Sequence, residues 1–145
     1  MGARRRGRIL AFQALYAWEM AGKENNLGDL LEFSWMDVKQ GKALGATADF
    51  SRLLVTGTAE HIKTIDAMIR RHLVHWDFSR LNLVDLALLR LSVYELMFQA
   101  AVPPSVVIDE AVDISREYGS GDSYRFINGV LDGVRKTIQG GMHNG

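Results

Sequence analysis

Apolar side chains recur every three to four residues along almost the whole chain, which is the period of an amphipathic helix. A second, shorter stripe covers residues 27–38, and the glycine-containing stretch 40–46 predicts a loop. No segment alternates convincingly with a period of two, so the pattern predicts an all-α fold. The first stripe, which Gly22 is expected to stop, consists of Ile9, Phe12, Tyr16 and Met20.

The segment after the predicted loop has the pattern of one long helix. Thr47 is a suitable N-cap for it, and its apolar stripe continues to Leu73. Gly57 interrupts the stripe, and a glycine at such a position predicts either a kink or a close crossing with another helix.

The next helix is predicted to be the buried centre of the fold. Asn82 followed by Asp85 resembles a capping box, with aspartate in place of the usual glutamate. The segment 83–100 is apolar nearly all round, which is typical of a helix surrounded by others. Pro103 and Pro104 are expected to end it.

Two further helices complete the predicted fold. One follows the prolines and is expected to stop at Gly119, and Ser120 or Asp122 can cap the last one. Together the stripes predict a compact bundle of about six to seven helices. We expect a single domain over residues 1–139, with a basic arm at 1–8 and a flexible tail at 140–145.

The chain has a net charge of zero, but positive charge is concentrated at its start. Four of the 17 basic side chains lie in the first eight residues, without an acidic one, and the remainder is mildly acidic. This favours a local basic arm for nucleic acid over a whole-protein binding surface. Gln13 and Glu19 interrupt the apolar run that follows, so we expect a helix of a cytoplasmic protein instead of an export signal or a membrane span.

The sequence contains no convincing candidate for a catalytic site. It has no cysteine, which excludes disulfides and thiolate chemistry. His72 and His75 lie one helical turn apart but lack a third obvious metal ligand, so we expect neither metal nor cofactor. A solvated acidic face explains the carboxylates Asp109, Glu110, Asp113 and Glu117.

Two stretches carry a family resemblance that spans nearly the whole chain. The first joins the arginine run to Gln-Ala-Leu-Tyr-Ala-Trp at 13–18. The second contains Leu-Arg-Leu at 89–91, Tyr-Glu-Leu at 94–96, Ile-Asp-Glu-Ala at 108–111 and Phe-Ile-Asn-Gly-Val-Leu-Asp at 126–132. In this order they resemble the NusB family of bacterial transcription antitermination proteins.

The resemblance implies two small helical subdomains in one unit and an RNA-binding adaptor that is not an enzyme. Proteins of this family bind boxA, a short single-stranded element of nascent ribosomal RNA leaders, together with the ribosomal protein NusE. The assembly joins NusA, NusG and the elongating RNA polymerase. The same resemblance leaves a homodimer open.

The resemblance also implies roles for particular residues. Asp122 falls on an acidic position beside the RNA surface, where its charge is expected to moderate the affinity for RNA. Asp85 falls on a position on the NusE-facing side. The positions that match the family's RNA contacts are Arg4, Arg5, Arg6, Arg8, Gln13, Tyr16, Asp122 and Phe126.

Three alternatives stay open from the sequence. The fold also occurs as the N-terminal domain of a ribosomal RNA cytosine methyltransferase, although we expect no catalytic domain here. A homodimeric helical interaction protein would bind no RNA. A metal hydrolase would depend on His72 and His75.

Overall fold

In this computed structural model the described residues are 2–22 and 45–144, and they form six α-helices without a strand. The prediction of an all-α bundle is therefore confirmed, whereas the stripe at 27–38 lies outside the described residues. A 3-10 turn at Phe78–Arg80 precedes the central helix. The helices are α1 (Ala3–Met20), α2 (Gly45–Glu60), α3 (Ile62–Arg71), α4 (Leu83–Phe98), α5 (Pro104–Tyr118) and α6 (Ser123–Asn144).

Helix α4 is the centre of the fold, as predicted. All twelve residues from Asp85 to Leu96 are buried, and every other described helix packs against α4. Helices α1 and α2 pack on each other, as do α5 and α6, so two helix pairs share α4. The Asn82 side chain caps α4 by accepting hydrogen bonds from the backbone N–H groups of Val84 and Asp85.

Two ion pairs, one buried and one partly buried, fix the direction of α1 along α4. Arg8 pairs with Glu95 near one end, with Nη2 and Oε1 2.8 Å apart. Arg90 pairs with Glu19 near the other end, with Nη1 and Oε2 2.9 Å apart. Because Arg8 precedes Glu19 while Glu95 follows Arg90, the two helices run antiparallel.

The long helix predicted from Thr47 to Leu73 is divided at His61. Thr47 lies buried inside α2 and is not its N-cap. At the division the His61 ring stacks on Phe98 of α4, with ring centroids 4.1 Å apart. Gly57 lies against the Tyr94 ring, so the close crossing predicted there is confirmed.

Helix ends agree with the predicted stops at three of four places, and one of these is the end of α4 at Phe98, before Pro103 and Pro104. Gly22 follows α1 with a φ of 69°, and Gly119 follows α5. The last helix, however, continues through Gly140 and Gly141 to Asn144, where the sequence predicted a tail. Glycine lowers helix propensity by about 1 kcal/mol without forbidding the conformation.

Candidate nucleic-acid interface

The basic segment is the start of a helix, which corrects the expected arm at 1–8. Helix α1 begins at Ala3, so its arginines point in different directions around the first two turns. Gly7 permits this packing because a Cβ atom there would lie 2.6 Å from the Phe50 ring of α2. Arg4 is exposed, with its guanidinium 4.2 Å from the centroid of that ring, and Arg6 is exposed as well.

Arg5 is held by the acidic face of α5. Its Nε donates to Oε2 of Glu110 at 2.7 Å, and its Nη2 donates to Oδ2 of Asp113 at 2.8 Å. The hydrogen bonds to these two carboxylates raise the pKa of Arg5 further. The carboxylates at 109–117 were predicted to be a solvated face, but two of them bind an arginine.

Arg8 is a core residue and not a surface contact, which corrects its expected role. Only 5% of Arg8 is exposed, and its guanidinium donates to both carboxylate oxygens of the buried Glu95. A guanidinium that is buried and held by a carboxylate inside the core is not placed to contact a phosphate. Helical spacing alone does not identify this, because the partner is 87 residues away.

Gln13 and Tyr16 are half-buried on α1, each in line with one arginine. Gln13 follows Arg6 by seven residues and Tyr16 follows Arg5 by eleven, which are about two and three helical turns. Tyr16 packs against the core, so only part of its ring faces outward. The two residues therefore extend the surface that Arg5 and Arg6 begin.

A cleft of ≈ 310 Å³, here called the Trp76 cleft, separates the segment before α4 from the start of α6. Trp76 is 60% exposed, and its ring touches that of Phe126 with centroids 5.6 Å apart. Asp85, Asp122 and Arg80 also line the cleft. The structure thus brings Asp85, predicted to face NusE, together with Asp122 and Phe126, predicted to face RNA.

Asp85 is the buried charged group of this cleft. Its Oδ2 accepts a hydrogen bond from Ser123 Oγ at 3.3 Å, whereas its Oδ1 has no partner in the described part of the chain. Burial raises the pKa of Asp85, and the Ser123 hydrogen bond offsets part of that rise. The Asp122 carboxylate is exposed, and its backbone carbonyl accepts the first hydrogen bonds of α6.

Sequence reasoning missed Trp76 and Arg80. The stretch 74–82 lacks a clear helical period, and a tryptophan in such a stretch has no apolar stripe to join. The position of this tryptophan outside any apolar stripe is the one sequence signal that indicates an exposed, functional Trp76. Its pairing with Phe126 depends on tertiary contact and is not visible in the sequence.

The histidines considered for a metal site have a different environment. His72 Nε2 lies 3.0 Å from Thr137 Oγ1, and burial together with the charge of Arg71 lowers the pKa of His72. Within 2–22 and 45–144, no three histidine, aspartate or glutamate side chains are grouped to hold a metal ion. None of the helices in those ranges has the length and apolar character needed to cross a membrane.

An all-α bundle that exposes arginines at the start of one helix and an aromatic cleft elsewhere on its surface has features of helical nucleic-acid-binding proteins. Residues 5–136 match the model of the NusB family. Among relatives, a transcription antitermination protein NusB of Treponema pallidum is 52% identical, over 92% of this chain and 93% of that protein. The chain therefore belongs to the NusB family.

Solved structures of the family agree with this fold. NusB of T. maritima is 38% identical and superposes with a TM-score of 0.77, covering 92% of this chain and 90% of that one. A crystal structure of antitermination factors NusB and NusE in complex with dsRNA contains a chain that is 30% identical. It superposes with a TM-score of 0.78, covering 94% of this chain and 98% of that one.

Proposed function

We propose that this protein is a non-catalytic antitermination adaptor of the cytoplasm. It binds a boxA-like single strand of a nascent ribosomal RNA leader together with NusE. The complex then joins the elongating RNA polymerase, with NusA and NusG. The observation that carries the proposal is the pair of exposed arginines, Arg4 and Arg6, on the first turns of α1.

The exposed charge and the exposed aromatic rings support the proposal that the protein binds RNA. Arginine forms charge-assisted, forked hydrogen bonds with phosphate, and here it does so from a helix that the core holds in place. Phe126 and Trp76 offer ring faces on which bases stack, and stacking on a protein ring requires unpaired bases. The phosphate contacts would serve a single strand and a duplex alike, whereas the exposed rings favour a single strand.

Relatives support the proposal that NusE is a partner. A structure at 30% identity contains NusB, NusE and dsRNA, which associates both kinds of partner with this family. A small surface that meets few nucleotides binds weakly, so a second RNA-binding protein is expected to supply much of the affinity.

The experiment measures binding to a boxA-like single strand, to a scrambled strand and to the boxA-like duplex, each with and without NusE. The native chain is compared with Arg4→Ala/Arg6→Ala at two salt concentrations. We expect preference for the boxA-like single strand, strengthened by NusE and reduced in the variant.

Equal, weak binding to all three RNAs, untouched by the variant, would contradict the proposal. Tighter binding to the duplex than to the single strand would contradict its single-strand component.

A further inference from the structure

Helix α3 and the end of α4 border an open groove of ≈ 470 Å³, here called the α3 groove. Its lining residues are Lys63, Thr64, Ala67, Met68, Arg71 and Met97. Most of the lining surface is apolar, and the side chains of the two methionines adapt to apolar groups of many shapes. The groove can therefore hold an apolar side chain of a partner.

The charges of the α3 groove come from two exposed cations on one row of α3. Lys63, Ala67 and Arg71 follow one another at intervals of four residues, so they are neighbours along the helix surface. Eight residues of helix correspond to about 12 Å along the axis. The row thus has a positive charge at each end and a methyl group between them.

The described part of the protein does not neutralise these two charges. Neither Lys63 nor Arg71 pairs with a carboxylate of residues 2–22 and 45–144. The acidic residue of α3 itself, Asp66, is 8% exposed and accepts hydrogen bonds from Arg90 in the core. The exposed side of α3 is therefore positively charged, although the chain as a whole is neutral.

The α3 groove is turned away from α1. Asp66 joins α3 to Arg90, and Arg90 also binds Glu19 near the end of α1. Met68 follows Asp66 by two residues, which is about 200° around the helix. The groove is therefore a surface separate from the exposed arginines at the start of α1.

The lining of the groove favours an acidic peptide over a nucleic acid. None of its six lining residues is aromatic, so a base would find no ring on which to stack. An apolar side chain of a peptide fits against the methionines, and carboxylates on either side of it complement the two cations. An amphipathic helix that lies in a groove presents such side chains on one face, and two helical turns span nearly the distance between the cations.

We propose that the α3 groove binds an acidic amphipathic helix of a partner protein. Two carboxylates of that helix pair with Lys63 and Arg71, and an apolar side chain between them packs on Ala67, Met68 and Met97. This site goes beyond the proposed function, because it gives the adaptor a protein-binding surface on α3 in addition to the RNA-binding surface on α1.

The test uses a synthetic, alanine-rich helical peptide with two glutamates about two turns apart and leucines between them. One matched peptide has lysines in place of the glutamates, and another has alanines in place of the leucines. The purified full chain is titrated with each peptide, and binding is followed by fluorescence anisotropy at low salt.

Three variants alter the groove at exposed positions, so thermal melting should show each of them to be folded. Lys63→Ala/Arg71→Ala removes both charges, and Lys63→Glu/Arg71→Glu reverses them. Ala67→Gln fills the middle of the row without changing the charge. Arg116→Ala/Lys136→Ala is the matched control, because it removes two exposed cations from α5 and α6.

We expect the native chain and the control to prefer the peptide with glutamates and leucines over both matched peptides. Lys63→Ala/Arg71→Ala should weaken that binding by about 10-fold, since each exposed ion pair contributes up to about 5-fold. Lys63→Glu/Arg71→Glu should prefer the peptide with lysines. Ala67→Gln should weaken binding while leaving its salt dependence unchanged, because no charge is altered.

Equal affinity of the native chain for the peptides with glutamates and with lysines would overturn the inference, as would an unchanged preference in Lys63→Glu/Arg71→Glu. Equal affinity for the peptides with leucines and with alanines would indicate charge attraction without a groove, and would overturn it as well. Weaker binding of a boxA-like single strand in Lys63→Ala/Arg71→Ala would assign the groove to RNA instead. Failure of the proposed function leaves the peptide titrations unaffected, since no RNA is present in them.

Discussion

Four arginines within five positions have four different environments. Arg4 lies over a phenylalanine ring, Arg5 is held by two carboxylates, Arg6 is exposed and Arg8 is inside the core. Residue type and spacing therefore do not determine which arginine is exposed and able to meet a ligand. The tertiary partner of each side chain determines it.

The carboxylates that hold Arg5 are expected to compete with RNA. Glu110→Gln with Asp113→Asn should strengthen single-strand binding by about 2- to 5-fold, since exposed ion pairs contribute only ~1 kcal/mol or less. The affinity is measured by titration at low salt.

Glu117→Gln is the control for this double variant, because it removes a charge from α5 without touching Arg5. Weaker or unchanged binding in the double variant would show that Arg5 takes no part.

The Arg8–Glu95 pair is expected to matter for stability and not for RNA. Glu95→Ala leaves a buried guanidinium unpaired and should lower the free energy of unfolding by about 3–5 kcal/mol. Arg8→Met/Glu95→Leu removes both charges and should recover most of that loss. Denaturant unfolding measures both changes, and a loss below 1 kcal/mol in Glu95→Ala would be inconsistent with the buried pair.

Asp85 predicts a pH dependence of stability. Its pKa in the folded protein is raised above the ordinary value, so the protonated form is the better tolerated one. Below the ordinary pKa of aspartate the carboxyl is protonated in both the folded and the unfolded chain, so its burial costs no ionisation energy. As the pH rises through the folded-state pKa, ionisation of the buried carboxyl lowers the free energy of unfolding. Asp85→Asn should therefore raise the melting temperature at pH 7, with a smaller gain at pH 4. An equal gain at both pH values would exclude this cause.

At the scale of elements, the sequence was sufficient for helix type and most helix ends. Capping by Asn82, the stop at Gly22 and the buried character of α4 follow from local pattern. The division at His61 does not, because it coincides with stacking of that ring on Phe98, which belongs to another helix. Local propensity has no access to such a contact.

The close approach of α2 to α4 at Gly57 predicts the effect of a substitution there, and Gly129 provides the control. Gly57→Ala places a methyl group against the Tyr94 ring and should destabilise the fold by about 1–3 kcal/mol. Gly129→Ala lies in α6 with open space around its Cβ position and should stabilise by up to about 1 kcal/mol. Thermal unfolding checks both, and equal effects would contradict the crossing.

The open space at Gly129 also bears on how the family motif is interpreted. A glycine within such a motif can allow close approach of another chain segment, but the described residues place no heavy atom within 4 Å of a Cβ atom built at Gly129. The residues of the same motif that do pack are Ile127, Val130 and Leu131. Packing of α6 thus explains those apolar positions and not the glycine.

At the scale of the whole molecule, the chain is neutral and its candidate interface is confined to two features. The exposed arginines of α1 were identifiable from sequence, as were Phe126 and Asp122. The exclusion of Arg8 and the inclusion of Trp76 required the fold, because a buried partner and a cleft are both tertiary. Electrostatic attraction for RNA therefore has to be local.

The salt dependence of single-strand binding tests the central claim most directly. For the native chain and Arg4→Ala/Arg6→Ala, the logarithm of the affinity is plotted against that of the salt concentration. Lys63→Ala/Arg71→Ala, which removes two exposed charges from α3, is the matched control. Loss of two phosphate contacts should make the slope shallower by about 1.4 in the first variant only. Equal slopes in the two variants would contradict binding through the start of α1.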